Sequence, residues 1–302
     1  MLTYTPTPVQ EIREPLFDKA GVRVLVKRED LNHPYVSGNK WWKLKYNLDE
    51  AKKSGHNTLL TFGGAYSNHI YATAGAASES GFNSIGIIRG EETQPLNPTL
   101  TFAKEKGMQL HYVSRTQYRN KTETEFTENL KQQFGDFYRI PEGGTNELAV
   151  KGVTEFAQTL HDGFDYLCCA VGTGGTLAGL ISGLPKTKQT LGFSVLKGGE
   201  FLHTEVQKFL HDDYGNWSLI TSYHHGGYAK TTHELLRFIT EFGNRHNLPL
   251  DQVYTGKLMW GVMEEIKNGC FQKGSTILIL HTGGLQGRSA NINMTDINNC
   301  LF

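Results

Sequence analysis

Residues 166–184 read YLCCAVGTGGTLAGLISGL, and this stretch indicates the class of fold. Its mostly apolar first six residues predict a buried strand, GTGGT predicts a tight turn, and the apolar segment after the turn predicts a helix. The same order of apolar run, glycine turn and helix occurs at residues 59–77, and residues 276–284 repeat the run and the turn. A strand that leads through glycines into a helix is thus the dominant unit predicted for this chain.

Further segments continue the alternation of strands and helices. Strands are predicted at residues 84–88, 109–113, 190–195 and 218–223, and helices at residues 99–106, 200–209 and 232–242. This alternation predicts an α/β protein with twisted, mostly parallel sheets flanked by helices. In such proteins, ligands bind beyond the carboxyl ends of the strands, where the turns lead into helix N-termini.

The composition excludes several classes of partner. Lys plus Arg and Asp plus Glu each number 30, so the net charge of zero disfavours nucleic acid as a partner. No apolar run approaches the ~20 residues needed to cross a bilayer, and the polar N-terminus lacks the apolar stretch of a signal peptide. We therefore expect a cytoplasmic protein that does not bind membranes. The adjacent Cys168 and Cys169 lie in an apolar run and are expected to be buried free thiols, as distinct from Cys270 and Cys300.

The glycine turn is a candidate phosphate site. It consists of Gly172, Thr173, Gly174, Gly175 and Thr176. A glycine turn that opens a helix presents backbone N–H groups and the positive end of the helix dipole to an anion. The turn matches neither the Walker A pattern nor G-x-G-x-x-G, because Leu177 stands at the last glycine position. A tight turn that serves only helix packing is the alternative.

Lys40 is a candidate nucleophile. It ends the sequence Ser-Gly-Asn-Lys at residues 37–40, and Trp41, Leu44 and Leu48 recur after it at helical spacing. Lys40 therefore lies at a helix start, where the helix dipole disfavours a cation. Such a misplaced lysine suggests a function, and a buried neutral amine can form an imine. The alternative is an ordinary surface lysine.

Two other motifs also allow more than one interpretation. Ser67 or Asn68 in GGAYSNH, residues 63–69, could cap the following helix, face a ligand, or do both. His224-His225 and the HELLR sequence at residues 233–237 suggest a metal, but neither has zinc-ligand spacing, so no metal site is predicted.

Several spaced motifs together resemble one family. They are KRED at residues 27–30, SGNK at 37–40, GG with SN at 63–68, IPEGGTN at 140–146, GTGGT at 172–176, YTGK at 254–257 and HTGG at 281–284. In this order they resemble the 1-aminocyclopropane-1-carboxylate deaminase / D-cysteine desulfhydrase family of fold-type II pyridoxal-phosphate enzymes, which have a tryptophan synthase β-like fold.

The resemblance implies roles for individual residues. Lys40 would form the Schiff base with pyridoxal 5'-phosphate, Asn68 would lie beside the phenolic oxygen of the cofactor, and residues 172–176 would hold its phosphate. Ser67 would transfer a proton or bind the substrate carboxylate. Tyr228 and Tyr254 would be the catalytic tyrosines, Thr255 would face the pyridine nitrogen, and Thr282 would also contact the cofactor.

The resemblance also implies an organisation. Residues 1–45 and 151–302 would form a larger domain, residues 46–150 a smaller inserted α/β domain, and the cofactor would lie between them. A homodimer is expected.

Positions 255 and 282 bear on the choice of substrate. Deaminases of this family carry glutamate and leucine there, whereas desulfhydrases carry hydroxyl residues, as this chain does. The resemblance therefore favours β-elimination on a small D-amino acid, D-cysteine above all. The alternatives are a 1-aminocyclopropane-1-carboxylate deaminase, an L-serine/threonine dehydratase-like lyase and a non-catalytic pyridoxal-phosphate-binding protein.

Overall fold

The computed structural model describes residues 2–160, 163–289 and 292. In this part of the chain the strands are β1 Val9–Ile12, β2 Arg23–Lys27, β3 Thr58–Gly64, β4 Asn83–Arg89, β5 Met108–Val113, β6 Tyr138–Ile140, β7 Tyr166–Val171, β8 Gln189–Ser194, β9 Trp217–Ile220 and β10 Thr276–Leu280. The helices are α1 Pro15–Ala20, α2 Asn39–Lys53, α3 Asn68–Ser80, α4 Pro98–Glu105, α5 Arg115–Arg119, α6 Thr124–Phe134, α7 Glu147–Gln158, α8 Gly175–Gly183, α9 Leu202–Gln207, α10 His233–His246 and α11 Thr255–Lys267.

The strands form two sheets. The larger sheet has the order β1-β2-β10-β7-β8-β9, and the smaller sheet has the order β5-β4-β3-β6. Every pairing is parallel except that of β1 with β2. The prediction of an α/β protein with mostly parallel sheets is confirmed. The two ends of the chain meet in the larger sheet, because β10 pairs with β2 on one side and with β7 on the other.

Apolar side chains cover both faces of the larger sheet. Along β7, Leu167, Cys169 and Val171 belong to one buried cluster, whereas Cys168 and Ala170 belong to another. Successive side chains of a strand point to opposite faces, so a strand buried on both faces is apolar at every position. Cys168 and Cys169 are buried free thiols, as predicted, and Cys300 lies outside the described residues.

The helices between the strands are amphipathic or apolar according to their position. Helix α8 is buried along most of its length, whereas α10 buries one stripe that includes Leu235, Ile239 and Phe242. Within residues 2–160, 163–289 and 292, no helix has the length and apolar character required to span a membrane.

Candidate active site

A cavity of about 610 Å³ is lined by residues at the carboxyl ends of strands from both sheets. Gly64 and Arg89 end β3 and β4 of the smaller sheet, Val171 ends β7 of the larger sheet, and Thr282 lies two residues beyond β10. This is the location expected for a ligand in parallel α/β proteins. The volume falls within the range of small-molecule sites, which is roughly 300–1,000 Å³.

Lys40 lies in the first turn of α2 and lines this cavity. Its Nζ donates a hydrogen bond to Asn39 Oδ1 at 3.1 Å. Burial lowers the pKa of Lys40 to about 8, because the cavity solvates the ammonium poorly. A considerable fraction of the amine is therefore neutral near physiological pH and able to attack a carbonyl carbon.

The turn before Lys40 is anchored by a buried carboxylate. The backbone N–H of Gly38 donates to the carbonyl oxygen of Glu29 and to Asn32 Oδ1, both at 2.9 Å. The Glu29 carboxylate in turn accepts hydrogen bonds from Asn32 Nδ2 at 3.1 Å and from Trp42 Nε1 at 2.8 Å. Gly38 has a φ of +68°, and a Cβ there would stand 1.9 Å from the carbonyl oxygen of Thr282. The position of Lys40 is thus fixed by backbone and buried polar contacts together.

Three neighbouring side chains, Arg28, Asp30 and His281, connect the KRED and HTGG motifs. Arg28 donates to both oxygens of Asp30, at 2.9 and 2.8 Å, and Asp30 Oδ1 lies 3.4 Å from His281 Nδ1. Asp30 and His281 are both buried. The charged residues of KRED therefore have a structural role, because they hold the segment before Lys40 against the segment that contains Thr282.

The lowered pKa of Lys40 leads to a test on the cofactor-free protein. The rate at which Lys40 forms a Schiff base with pyridoxal phosphate should rise about tenfold per pH unit below pH 8 and level off above it, because only the neutral amine is nucleophilic. Stopped-flow absorbance between pH 7 and pH 10, with Lys40→Ala as background, measures this profile. A rate that keeps rising to pH 10 would indicate an ordinary solvated lysine.

The glycine turn lines the same cavity as Lys40. Gly172, Thr173, Gly174 and Thr176 line the cavity, whereas Gly175 begins α8 and is not part of the lining. Gly174 has a φ of +83°, and a Cβ there would lie 3.0 Å from Val206 Cγ2. The N-terminal N–H groups of α8 point away from the helix, the usual geometry of an anion site. Asn39 Nδ2 donates to Thr176 Oγ1 at 2.8 Å, which ties the turn to the helix of Lys40.

Ser67 and Asn68 also lie on the cavity wall. Ser67 caps α3, because its Oγ accepts hydrogen bonds from the backbone N–H groups of His69 at 3.2 Å and Ile70 at 3.3 Å. The hydroxyl hydrogen of Ser67 is still available to a ligand, so capping and ligand contact are compatible. Asn68 is the first residue of α3, and its Oδ1 accepts a hydrogen bond from Gln286 Nε2 at 2.7 Å.

Tyr228 and Tyr254 meet at the cavity wall. Their rings lie edge to face with centroids 6.1 Å apart, and both line the cavity. Burial and the neighbouring Tyr228 raise the pKa of Tyr254 well above its usual value, and burial also raises the pKa of Tyr228. Both phenols therefore stay protonated at neutral pH and keep an O–H group that can donate a hydrogen bond.

Thr282 and Thr255 are placed differently. Thr282 lines the cavity, whereas Thr255 is buried behind it, at the start of α11. The Thr255 hydroxyl donates to Asp251 Oδ1 at 2.7 Å and accepts from the backbone N–H of Asp251 at 2.8 Å. The donor of this hydroxyl is thus taken by Asp251, and Thr255 is not among the residues that line the cavity, where it was expected to face the pyridine nitrogen.

Sequence reasoning missed several residues of the site. Lys43 lies one turn after Lys40, lines the cavity, and donates to the carbonyl oxygen of Gly143 and to Thr145 Oγ1. Burial and the charge of Lys40 lower the pKa of Lys43 well below its usual value. Thr145 Oγ1 lies 2.6 Å from Thr173 Oγ1, so Lys43 is connected to the glycine turn. The spacing of three residues from Lys40 was the available signal, since it places both lysines on one face of a helix.

His69, Arg89 and Glu142 were missed as well, although all three line the cavity. Arg89 could have been predicted as a site residue, because it directly follows the strand predicted at residues 84–88. Burial and the two nearby lysines lower the pKa of His69 well below 6.5, so its ring is neutral. Among the described residues, no group of histidine, cysteine or carboxylate side chains could hold a metal ion.

Fold and site together define a class of enzyme. A cavity at the carboxyl ends of parallel strands is lined by a lysine of lowered pKa and by a glycine turn at a helix start, which suits an aldehyde cofactor with a phosphate. The residues present fit pyridoxal phosphate, because the amine of Lys40 and the glycine turn at the start of α8 line one cavity. A Cβ on Gly172 would lie 3.1 Å from the ring of Tyr254.

Comparison with known proteins agrees with this class. The family described as "Pyridoxal-phosphate dependent enzyme" matches residues 1–283. A Thermotoga maritima protein whose name provisionally assigns it as a 1-aminocyclopropane-1-carboxylate deaminase is 33% identical, over 95% of this chain and 96% of its own. The bifunctional D-cysteine desulfhydrase/1-aminocyclopropane-1-carboxylate deaminase of Arabidopsis thaliana is 32% identical, over 95% of this chain and 78% of its own.

A solved structure is also similar. The crystal structure of an ACC deaminase homologue superposes with a TM-score of 0.81 at 30% identity, covering 95% of this chain and 92% of the other. The chain therefore belongs to the pyridoxal-phosphate-dependent enzyme family, within the group of relatives named as 1-aminocyclopropane-1-carboxylate deaminases and D-cysteine desulfhydrases. It is a pyridoxal-phosphate-dependent enzyme of the lyase/deaminase type, and the predicted family and cofactor are confirmed.

Proposed function

We propose that the protein catalyses β-elimination on a small D-amino acid and converts D-cysteine into pyruvate, sulfide and ammonia. The observation that carries the proposal is the pairing of the carboxylates in the cavity wall. Among the described lining residues these are Glu142, which lies 3.3 Å from Lys121, and Glu205, which lies 2.6 Å from Lys208. Each of these carboxylates already has a cationic partner, which weakens its ability to keep a pyridine nitrogen protonated.

This pairing bears on the choice between the two activities in the names of the relatives. When bound, pyridoxal phosphate withdraws electrons from the α-carbon of the substrate, and it does so more weakly when its ring nitrogen carries no proton. A weaker electron sink suffices when a good leaving group departs from the β-carbon. Opening a cyclopropane ring has no such leaving group. The cavity therefore favours D-cysteine over the cyclopropane substrate.

The cofactor contacts that we propose follow the placement of the residues. Lys40 would carry the Schiff base, and Gly172, Thr173, Gly174 and Thr176 would surround the phosphate. Gly175 would contribute through the start of α8. Asn68 and Thr282 would lie beside the cofactor ring. Thr255 would not touch the ring and would instead hold Asp251 behind the cavity wall.

Three side chains account for the proton transfers and for substrate binding. The Lys40 amine, with a pKa of about 8, can accept the α-proton once it has released the cofactor. The Ser67 hydroxyl and the positive end of α3 would bind the substrate carboxylate. The protonated Tyr254, next to Tyr228, can donate a proton to the departing sulfur.

The overall reaction balances with water as the second reactant. The Cα–H and Cβ–S bonds break, and the sulfur leaves with the electron pair of its bond as sulfide. The 2-aminoacrylate that is released takes up water and yields pyruvate and ammonia.

We also propose that the protein acts as a homodimer in the cytoplasm. Size-exclusion chromatography with light scattering would test the oligomeric state, and cell fractionation would test the location.

The substrate proposal is tested by measuring 2-oxo acid formation from a panel of amino acids. D-Cysteine should be the best substrate, and D-serine should be slower by roughly tenfold or more, because hydroxide is a much poorer leaving group than a thiolate. 1-Aminocyclopropane-1-carboxylate should hardly react. The Lys40→Ala variant measures the background for each compound.

Other outcomes of the panel would assign other functions. A higher rate with the cyclopropane than with D-cysteine would contradict the proposal in favour of the deaminase. Turnover restricted to L-serine or L-threonine would indicate a dehydratase-like lyase. A protein that binds the cofactor but converts none of these compounds would be a non-catalytic binding protein.

A further inference from the structure

The side-chain amide of Asn68 is hydrogen-bonded at its acceptor end. Its Oδ1 accepts a hydrogen bond from Gln286 Nε2 at 2.7 Å. An amide has distinct donor and acceptor ends, and Gln286 binds the acceptor end. The donor end, Nδ2, is therefore the part of the Asn68 amide that is free to bind a ligand in the cavity, which Asn68 lines.

Gln286 lies in a short helical turn, Leu285–Gly287, that follows the HTGG motif. The turn approaches α3 closely, because a Cβ on Gly284 would stand 2.2 Å from Asn68 Nδ2. Gln252 fixes the far side of the same turn, since its Nε2 donates to the carbonyl oxygen of Gly287 at 2.7 Å and its Oε1 accepts from the Ser289 N–H at 3.1 Å. Both of these hydrogen bonds of Gln252 go to the backbone, and neither goes to Asn68. Two glutamines thus bind this part of the chain, Gln286 within the turn and Gln252 from the segment before α11, and only Gln286 touches the Asn68 amide.

We infer that Gln286 is a positioning residue that orients Asn68 so that its N–H group donates to the phenolic oxygen of the bound cofactor. The inference rests on the proposed function, in which Lys40 carries the cofactor and Asn68 lies beside it. The phenolic oxygen is the acceptor next to the carbon that Lys40 attacks, whereas the phosphate is held at the glycine turn. A donor stabilises the anionic form of this oxygen, and the carbonyl end of Asn68 would destabilise it.

This orientation should control the proton that the Schiff base of Lys40 shares with the phenolic oxygen. When Asn68 donates to the oxygen, the oxygen is less basic and the proton is lost at lower pH. A glutamate at position 286 can only accept, so it would pair with Asn68 Nδ2 and turn Oδ1 toward the cofactor. The titration midpoint of the bound cofactor would then move to higher pH.

The experiment titrates the visible absorbance of the holoenzyme without substrate. Relative to the unmodified protein, Gln286→Glu should raise the midpoint by about one pH unit, the size expected when a hydrogen bond to a charged group is lost. Gln286→Met removes the contact without adding charge and should raise it by about half a unit. Gln252→Glu adds the same charge beside the same turn, away from Asn68, and should leave the midpoint nearly unchanged.

The other titratable groups around the cavity are the same in all of these proteins. They are Lys43, His69, Arg89, Lys121, Glu142, Glu205, Tyr228 and Tyr254. Differences in midpoint therefore report on the Asn68 amide. An unchanged midpoint in Gln286→Met, or equal shifts in Gln286→Glu and Gln252→Glu, would overturn the inference alone. Absence of the Schiff-base band in the unmodified protein would overturn both the inference and the role proposed for Lys40.

Discussion

Replacing Lys40 with alanine is expected to abolish the Schiff-base absorbance band and to lower the rate of 2-oxo acid formation by at least about a thousandfold. The variant loses both the amine that carries the cofactor and the group proposed to accept the α-proton. The cavity and its other contacts are otherwise retained, so the folded protein should still bind free cofactor through the glycine turn. Absorbance spectra and initial rates measure the two effects.

Lys257 provides a matched control for this prediction. It is buried, and burial lowers its pKa to about 8, as for Lys40. Its Nζ, however, donates to the carbonyl oxygen of Gly227 at 2.7 Å, and it does not line the cavity. Lys257→Met should therefore keep the Schiff-base band, because access to the cavity selects the reactive lysine and a lowered pKa alone does not.

Labelling the unmodified protein gives an answer that does not depend on how well a variant folds. Borohydride reduction should fix the cofactor to the peptide that contains Lys40. Recovery of the label on Lys43, Lys45 or Lys257 would show that the assignment is wrong.

The second large effect is expected at the glycine turn. Gly174→Val should weaken cofactor affinity by at least about tenfold, since a φ of +83° strains a β-branched residue by roughly 1–3 kcal/mol. The added side chain would also meet Val206. Thr173→Ser keeps a hydroxyl at the turn and should change the affinity much less. Equilibrium dialysis of the cofactor against each variant measures the difference.

Gly81→Val separates strain in general from strain at the site. Gly81 also has a positive φ, +76°, with open space around it, and it ends α3 on the side away from the cavity. This variant should lose thermal stability and retain cofactor affinity. If Gly174→Val bound the cofactor as well as the parent protein does, the turn would serve only helix packing.

Much of the fold could be predicted because the central strands are buried on both faces. The apolar runs of β3, β4, β7, β8 and β10 stand out in the sequence for that reason. Strands β1, β2 and β6 were not predicted, since they span only three to five residues and alternate exposed with buried positions or are only partly buried. Helix α7, which packs inside the molecule, was also missed.

The site was predictable to the extent that its residues lie in strand-to-helix turns. Lys40, Ser67, Asn68 and the glycine turn all meet at one cavity. The partners that orient them could not be predicted, because they come from distant parts of the chain. Gln286 reaches Asn68 across 218 residues, and Asn39 reaches Thr176 across 137.

The placement of Thr255 shows the limit of transferring a role by position. Its hydroxyl is held by Asp251, whose carboxylate also accepts the N–H groups of Val253 and Tyr254. This contact is made within one local turn, yet nothing in the residue types alone distinguishes it from a hydroxyl that faces a ligand. A glutamate at position 255 would lie beside the buried Asp251. The two carboxylates would repel each other, so any change in substrate preference caused by Thr255→Glu would be accompanied by this electrostatic repulsion.

The pairing of β2 with β10 has a consequence for the newly made protein. Lys27 ends β2, and its partner strand begins about 250 residues later, at Thr276. At roughly 5–20 residues per second, a ribosome needs on the order of 10–50 s to make the chain between them. For most of that interval Lys40 has been made, but Thr282, which closes on Gly38, does not yet exist. Cofactor loading should therefore follow the synthesis of Thr282, and ribosome-bound chains that end before residue 282 should bind no pyridoxal phosphate.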